Sequence, residues 1–245
     1  MTIKIDSKTT AEIDVLVLCG GAGSRLHPLI SDRPKGMALI GRRPFLDILV
    51  DDLLKQGFRR IIFCVGHLKE QIIFHYKSRN DADFYFSEEN VPLGTGGAIH
   101  NALSMVQSNH VLILNGDSIC PINFSELLQF HYAKKSSTTF VLTLPQDRDD
   151  GGIVLIDGDN KVQSFLEKTS SNSALNGYIN AGIYLLEMES LIFFNLKPPF
   201  SLEYDIFPTL AKDNSCYGFV VDSKLVDIGT PARYLKANTD GIIKA

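Results

Sequence analysis

The chain has 245 residues, 44% hydrophobic and 21% charged, enough to bury a sizeable core in a globular protein. Its formal net charge of -4 excludes a generic nucleic-acid-binding surface. No apolar stretch is long enough to cross a membrane, and the first twelve residues lack the apolar segment of a secretory signal.

Residues 1–13 read as a loose lead-in, with a single domain expected over 14–245. Val15–Leu18 is an uncharged apolar run, hence a buried central strand, and the glycines after it mark its end. Phe45, Ile48, Leu49, Leu53 and Leu54 recur at helical spacing within 44–56, and Gly57 stops that helix. A strand at 61–65, a helix at 68–77, a short strand at 84–86, a helix at 96–106 and a strand at 111–114 follow. This alternation predicts crossover units and a mostly parallel sheet whose ligands bind beyond the carboxyl ends of strands. After a helix at 123–135 the character changes. Runs at 138–144, 153–156, 162–166 and 179–186 predict strands that extend the sheet and cover the cleft, and helices at 204–212 and 232–244 close the chain. The fold class is α/β, a Rossmann-like, mostly parallel mixed sheet flanked by helices, with a β-rich second half from about residue 136.

The stretch Cys19–Lys35, CGGAGSRLHPLISDRPK, organises the rest. Gly20, Gly21 and Gly23 let the backbone turn sharply and approach a ligand closely, and free N–H groups there form an anion cradle. Arg25 and Lys35 add two positive charges, so the loop suits a triphosphate. It is not a P-loop, because no Lys follows the glycines directly, and Leu26 spoils the dinucleotide fingerprint. A plain tight turn would explain the glycines but not the two cations.

A second glycine cluster, Pro92-Leu93-Gly94-Thr95-Gly96-Gly97-Ala98, precedes a helix and would suit a base or ribose lying on it; a flexible connector is the competing reading. Glu89 could accept two parallel hydrogen bonds from the N1–H and N2–H₂ edge of guanine, whereas a solvated acidic pair with Glu88 is the ordinary alternative. Asp117 and Asp227 both stand at strand ends, where a carboxylate can bind Mg²⁺; Asp227 could equally cap the last helix, with Pro231 near its start. Lys168 could hold a phosphate, with Glu167 and Asn180 on sugar hydroxyls. The six histidines show no ligand spacing, and the four cysteines (19, 64, 120, 216) no metal spacing, so buried thiols in a reducing cytoplasm are expected. Phe193, Phe194 and Phe200 could cover a partner copy in a homo-oligomer.

Together these pieces, with Gly116-Asp117-Ser118, Phe165-Leu166-Glu167-Lys168, Asn180-Ala181-Gly182-Ile183-Tyr184 and Asp227-Ile228-Gly229-Thr230-Pro231, resemble the sugar-1-phosphate nucleotidyltransferases, in family order over nearly the whole chain. The runs Asp32–Lys35, Arg43–Asp47, Gln56–Ile61 and Val65–Leu68 are most similar to the D-glycero-α-D-manno-heptose 1-phosphate guanylyltransferases. Mannose-1-phosphate guanylyltransferases usually add a left-handed β-helix, and no hexapeptide repeat occurs here. Two positions depart from the family pattern: Gly36 where Pro is usual, and Cys19 where Ala is usual.

The resemblance implies a glycosyltransferase-A-like nucleotidyltransferase fold, with a nucleotide-binding half (about 14–135) and a sugar-binding half (about 136–245). It implies transfer of GMP from GTP to a sugar 1-phosphate, with Mg²⁺ on Asp117 and Asp227. Arg25 would hold the leaving phosphates and Lys35 would bridge toward the α-phosphate. Cys19, Gly20, Gly21, Gly23, Ser24, Glu89, Pro92, Gly94, Thr95 and Gly116 would surround the nucleotide. Gly152, Glu167, Lys168 and Asn180 would take the sugar phosphate. UDP- or CDP-hexose formation, mannose-1-phosphate guanylyl transfer, and a non-catalytic nucleotide-sugar sensor stand as alternatives.

Overall fold

A computed structural model describes residues 7–145, 151–167, 177–192 and 196–239. In chain order these are α1 (Ser7–Ala11), β1 (Asp14–Leu18), β2 (Leu39–Ile40), β3 (Arg43–Pro44), α2 (Phe45–Lys55), β4 (Arg60–Val65), α3 (Lys69–Lys77), β5 (Asp83–Glu88) and α4 (Gly94–Ala102). Then come β6 (His110–Asn115), β7 (Ser118–Ile119), α5 (Phe124–Lys134), β8 (Thr138–Thr143), β9 (Ile153–Ile156), β10 (Val162–Leu166) and β11 (Tyr178–Glu187). The chain continues through α6 (Met188–Ile192), a π-helical turn at Leu202–Ile206, α7 (Phe207–Leu210), β12 (Cys216–Val221), β13 (Val226–Asp227) and α8 (Pro231–Thr239).

The main sheet has nine strands, ordered β10-β9-β11-β6-β1-β4-β5, with β8 also paired to β11 and β12 to β8. The half from β5 to β6 is parallel; β11 then runs antiparallel to β6, β8 and β9. β1 shows why an uncharged run was needed. Val15 and Val17 face one core layer with α2, α3 and α5, while Leu16 faces the other with α4 and α7. A strand covered on both faces cannot alternate polar and apolar residues.

Register sets the site. Leu18 lies opposite both Cys64 and Asn115, so β1, β4 and β6 end level. The glycine loop after β1, Gly66-His67 after β4 and Gly116-Asp117 after β6 therefore emerge side by side. The short β7–β13 ladder adds the second aspartate: Asp227 pairs with Ser118, and Ile228 N–H donates to Asp117 O at 3.0 Å.

Several elements differ from the sequence reading. The lead-in contains α1, where Thr10 is buried and donates to Gln56 O at 3.0 Å. The helix expected over 96–106 ends at Ala102, and Leu103–Met105 tighten into a 3₁₀ turn. The helix expected at 204–212 is a π turn plus the four-residue α7. β12 was not foreseen; its parallel pairing with β8 supplies a strand that its own short pattern does not announce. Phe200 is buried on α4 rather than offered to a partner, and Phe193 and Phe194 lie outside the described residues.

β11 carries a register shift between Asn180 and Tyr184. Gly182 sits within it at φ +74°, and a Cβ there would stand 2.7 Å from Asn115 Nδ2 and 3.0 Å from Ser118 Oγ. Gly182→Ala should thus destabilise the protein by about 2 kcal/mol or more, combining left-handed strain with the clash. Urea unfolding measures it, and an unchanged midpoint and slope would refute this account of the bulge.

Candidate active site

Two cavities open beyond the level strand ends. The larger, about 820 Å³, is lined by Cys19, Gly20, Gly21, Gly23, Lys35, Glu89, Pro92, Gly94, Thr95, Gly116 and Asp117 from the expected set. The smaller, about 220 Å³, is lined by Gly152, Glu167, Asn180, Asp117 and Asp227. Arg25, Asn115, Asp117, Glu167 and Glu203 border both. Ser24 is exposed and outside both linings, and Lys168 lies outside the described residues.

The glycines serve different ends. Gly23 has φ +65°, and Lys35 packs over it; a Cβ there would be 3.3 Å from Lys35 Cβ. Gly20 and Gly66 cross beneath the Glu89 carboxylate, and a Cβ on either would come within 2.8 Å of Glu89 Oε1. Gly21 would meet nothing within 4 Å, so its backbone is open to the cavity. The second cluster is occupied by the protein itself. Gly96 and Gly97 N–H donate to Phe200 O at 3.1 and 3.2 Å, and a Cβ on Gly94 would overlap the Phe200 backbone. The close approach expected from a base is made at these glycines by the strand-like segment before the π turn.

Thr95 fastens that segment. Its hydroxyl accepts from Leu202 N–H at 2.9 Å and donates to Glu203 Oε2 at 2.7 Å. Ser201 Oγ holds the same carboxylate oxygen at 2.7 Å, which leaves the Glu203 carboxylate between the two cavities. Asn180 is likewise engaged, with Oδ1 accepting from Gly182 N–H at 3.1 Å and Nδ2 donating to Tyr184 OH at 2.8 Å. The Asn180 amide therefore ties the bulge while bordering the smaller cavity. Gly152 permits Phe165 and Glu167 to close in, since a Cβ would be 2.7 Å from Phe165 Cζ.

Charges meet where the cavities join. Lys35 Nζ forms an ion pair with Asp117 Oδ2. Asp227 Oδ1 accepts from Gly229 N–H at 2.8 Å and from Arg233 Nη1 at 3.3 Å. The Arg25 head stands beside Gly229 rather than behind the glycine loop, 3.8 Å from where a Cβ on Gly229 would be. Tyr184 is buried among Glu203, Glu167 and Asp117, and desolvation first, then those charges, push its hydroxyl well above the ordinary range. Burial likewise pushes the Cys19 thiol well up, with smaller contributions from Cys64 and Glu89, which disfavours the thiolate.

Among the described residues no cluster of three or more His, Cys, Asp or Glu side chains could hold a metal ion alone. Mg²⁺ is commonly held by one or two carboxylates completed by phosphate oxygens, and Asp117 and Asp227, which both line the smaller cavity, could hold it in that way. No described helix is long and apolar enough to cross a membrane.

The Nucleotidyl transferase family model matches residues 14–242. The chain belongs to this family. It is 36% identical over 225 residues to the D-glycero-alpha-D-manno-heptose 1-phosphate guanylyltransferase of Campylobacter jejuni, covering 91% of this chain and 97% of that one. The enzyme of the same name from Aneurinibacillus thermoaerophilus is 32% identical over 229 residues, with 93% and 98% covered. A mannose-1-phosphate guanylyltransferase catalytic subunit beta of Drosophila pseudoobscura pseudoobscura is also 32% identical over 225 residues, but the chain spans only 60% of its length. The crystal structure of HddC from Yersinia pseudotuberculosis complexed with GMP-PN superposes with TM-score 0.78 at 32% identity, covering 93% and 99% of the two chains. A Bacillus anthracis structure bound to sucrose, 20% identical, reaches TM-score 0.83 over 94% and 95%, which shows the shared α/β fold.

This nucleotidyl transferase places residues in its site that the sequence reading missed: His67, Asn115, Glu203, Tyr204 and Arg233. None of the five left a chemical signal of its own; only Ser201, two residues before Glu203, marks the turn that carries it. Ser201 is a helix-start residue, accepting from Glu203 N–H at 3.1 Å and Tyr204 N–H at 3.3 Å. Burial raises the Glu89 carboxyl above its usual range, and the hydrogen bond from Leu93 N–H at 3.2 Å only partly offsets this. A raised carboxyl favours folding below its unfolded value and loses that contribution as pH rises through the folded value. Glu89→Gln should accordingly raise the thermal midpoint at pH 8 and gain less at pH 4. Equal gains at both would remove burial as the cause.

Proposed function

We propose that this protein transfers GMP from GTP to a sugar 1-phosphate, with D-glycero-α-D-manno-heptose 1-phosphate as the substrate, releasing pyrophosphate. The observation that carries the reading is the meeting of two cavities at Asp117 and Arg25, with Lys35 paired to Asp117 on the larger side, one cavity of nucleotide size and one of monosaccharide size. The near full-length likeness to heptose 1-phosphate guanylyltransferases supports the sugar, whereas the mannose enzymes are matched over only part of their length.

A phosphate oxygen of the sugar 1-phosphate attacks the α-phosphorus in line. A P–O bond forms as the α–β bridging bond breaks, and pyrophosphate departs with the electron pair. The attacking phosphate is already anionic, so no protein nucleophile or base is needed. The protein positions two anions that repel one another and balances the charge that builds up. Gly21 and its neighbours offer backbone N–H groups to the triphosphate. Lys35, held by Asp117 at the junction, faces the α-phosphate, and Arg25 stands between the cavities. Glu167 and Glu203 are placed to accept sugar or ribose hydroxyls. Asp117 and Asp227 would hold Mg²⁺, whose charge, when bound, lowers the cost of bringing the phosphates together. Glu89 is our guanine reader, and four free cysteines suit a reducing cytoplasm.

Pyrophosphate release should be measured with GTP, UTP, CTP, dTTP and ATP against heptose, mannose and glucose 1-phosphates. Release is expected with GTP and the heptose phosphate; release with UTP and a hexose phosphate would overturn the substrate. Lys35→Ala should lower kcat by roughly 10²-fold or more, the usual loss for one preorganised charge. Full activity in that variant would sink its assigned role. Glu89→Gln should weaken GTP more than UTP, and equal effects would remove the base assignment.

A further inference from the structure

Four carboxylates line the smaller cavity: Asp117, Glu167, Glu203 and Asp227. Lys35 pairs with Asp117, and Arg233 with Asp227. Glu203 is held by neutral donors instead, and among the described residues it forms no ion pair. Thr95 Oγ1 and Ser201 Oγ each donate to its Oε2 at 2.7 Å. The two hydroxyls approach each other only to 3.5 Å, too far to compete for these protons. Each is pinned in turn, Thr95 by Leu202 N–H at 2.9 Å and Ser201 by Glu203 N–H at 3.1 Å. The carboxylate is therefore fixed in direction, and its Oε1 has no hydrogen-bond partner among the described residues.

The turn that carries Glu203 is π-helical, a rare winding that is frequent at functional sites. It brings Glu203, half-buried, to the border of both cavities, and Tyr204, 65% exposed, to the larger one alone. A carboxylate there repels phosphates, so the substrate group that suits it is a hydroxyl. Both substrates carry hydroxyls. The sugar brings more of them, and into about 220 Å³ against about 820 Å³ on the nucleotide side. Each hydroxyl that loses water in so small a space needs an acceptor. Asp117 and Asp227 already serve cations, whereas Glu203 offers an oxygen whose direction costs no further ordering on binding.

We propose that Glu203 is a specificity-determining residue for the sugar: its Oε1 accepts from one hydroxyl of the sugar 1-phosphate, and Thr95 and Ser201 are the positioning residues that aim it. This rests on reading the smaller cavity as the sugar-1-phosphate site. Glu167, on the same wall, is left to other hydroxyls.

Pyrophosphate release at saturating GTP, with the heptose 1-phosphate and its monodeoxy forms, tests this as a cycle between protein and substrate. In the wild type, removing the hydroxyl that Glu203 reads should lower kcat/KM about tenfold, the size of one lost charge-assisted bond. In Glu203→Gln, Thr95 and Ser201 hold the amide oxygen, so a neutral donor replaces Oε1. Its kcat/KM for the intact sugar phosphate should fall about tenfold, and removing the same hydroxyl should then cost no more than about threefold. Penalties for the other hydroxyls should persist, and the KM for GTP should stay within about twofold. Ser201 is outside both linings, and Ser201→Ala should erase part of the same penalty with the KM for GTP again within about twofold. Three outcomes would overturn the proposal: every penalty keeping its wild-type size in Glu203→Gln, a penalty lost instead with deoxy-GTP lacking a ribose hydroxyl, or a parallel rise of both KM values in Ser201→Ala. Thermal midpoints of both variants check folding. If the wild type turns over no nucleotide and sugar pair, the function reading fails and takes this proposal with it; turnover with every penalty intact in Glu203→Gln sinks this proposal alone.

Discussion

The ion pair between Lys35 and Asp117 joins residues 82 apart in the chain, and the site depends on it. Lys35 leaves the long loop after β1, and Asp117 leaves the turn after β6. The two meet only because β1 and β6 are adjacent, parallel and level at their carboxyl ends. Lys35 lines the nucleotide-sized cavity, and Asp117 borders both that cavity and the sugar-sized one, so the pair stands at their junction. With side chains 19% and 31% exposed, neither charge is fully solvated, and an arriving phosphate meets a cation already desolvated and aimed.

Around that point the site is a balance of signs rather than a basic pocket. Asp117, Asp227, Glu167 and Glu203 face the cavities together with Lys35, Arg25 and Arg233. This explains how a protein of net charge -4 can receive two polyanions. Lys35 is held by Asp117 and Arg233 by Asp227, which keeps these cations placed without giving the whole surface a positive field.

The glycines divide into two sets by physical role. Gly21 leaves backbone open toward the larger cavity, while Gly20 and Gly66 make room for Glu89. Gly94, Gly96 and Gly97 instead make room for the segment around Phe200, and Thr95 locks that segment through Leu202 and Glu203. The second glycine cluster therefore shapes the site by letting another part of the chain lie against α4. Both sets look alike as letters, because a glycine removes a side chain without stating what fills the space.

Much of the fold was legible in the sequence, since it follows from local rules. The uncharged run of β1, the apolar spacing of α2 and the alternation up to β6 set a parallel sheet, and the strand-end rule placed the glycine loop and Asp117 together before any coordinates. Asp227 and Glu167 were legible as carboxylates at strand ends, and the family pattern supplied the expectation of two substrates. Other features depended on contacts between distant segments. Asn180 borders the smaller cavity, and the contacts of its amide with the bulge that Gly182 permits could not be read from its neighbours in the chain. Glu203 and Arg233 gave no chemical signal in their own neighbourhoods, because a π turn and the first turn of α8 aim them into the cavities. The sequence by itself determined which groups the chain possesses and where its strands end. Tertiary structure alone decided which carboxylates and cations are paired, because pairing depends on register and side-chain direction across the sheet, and neither is local.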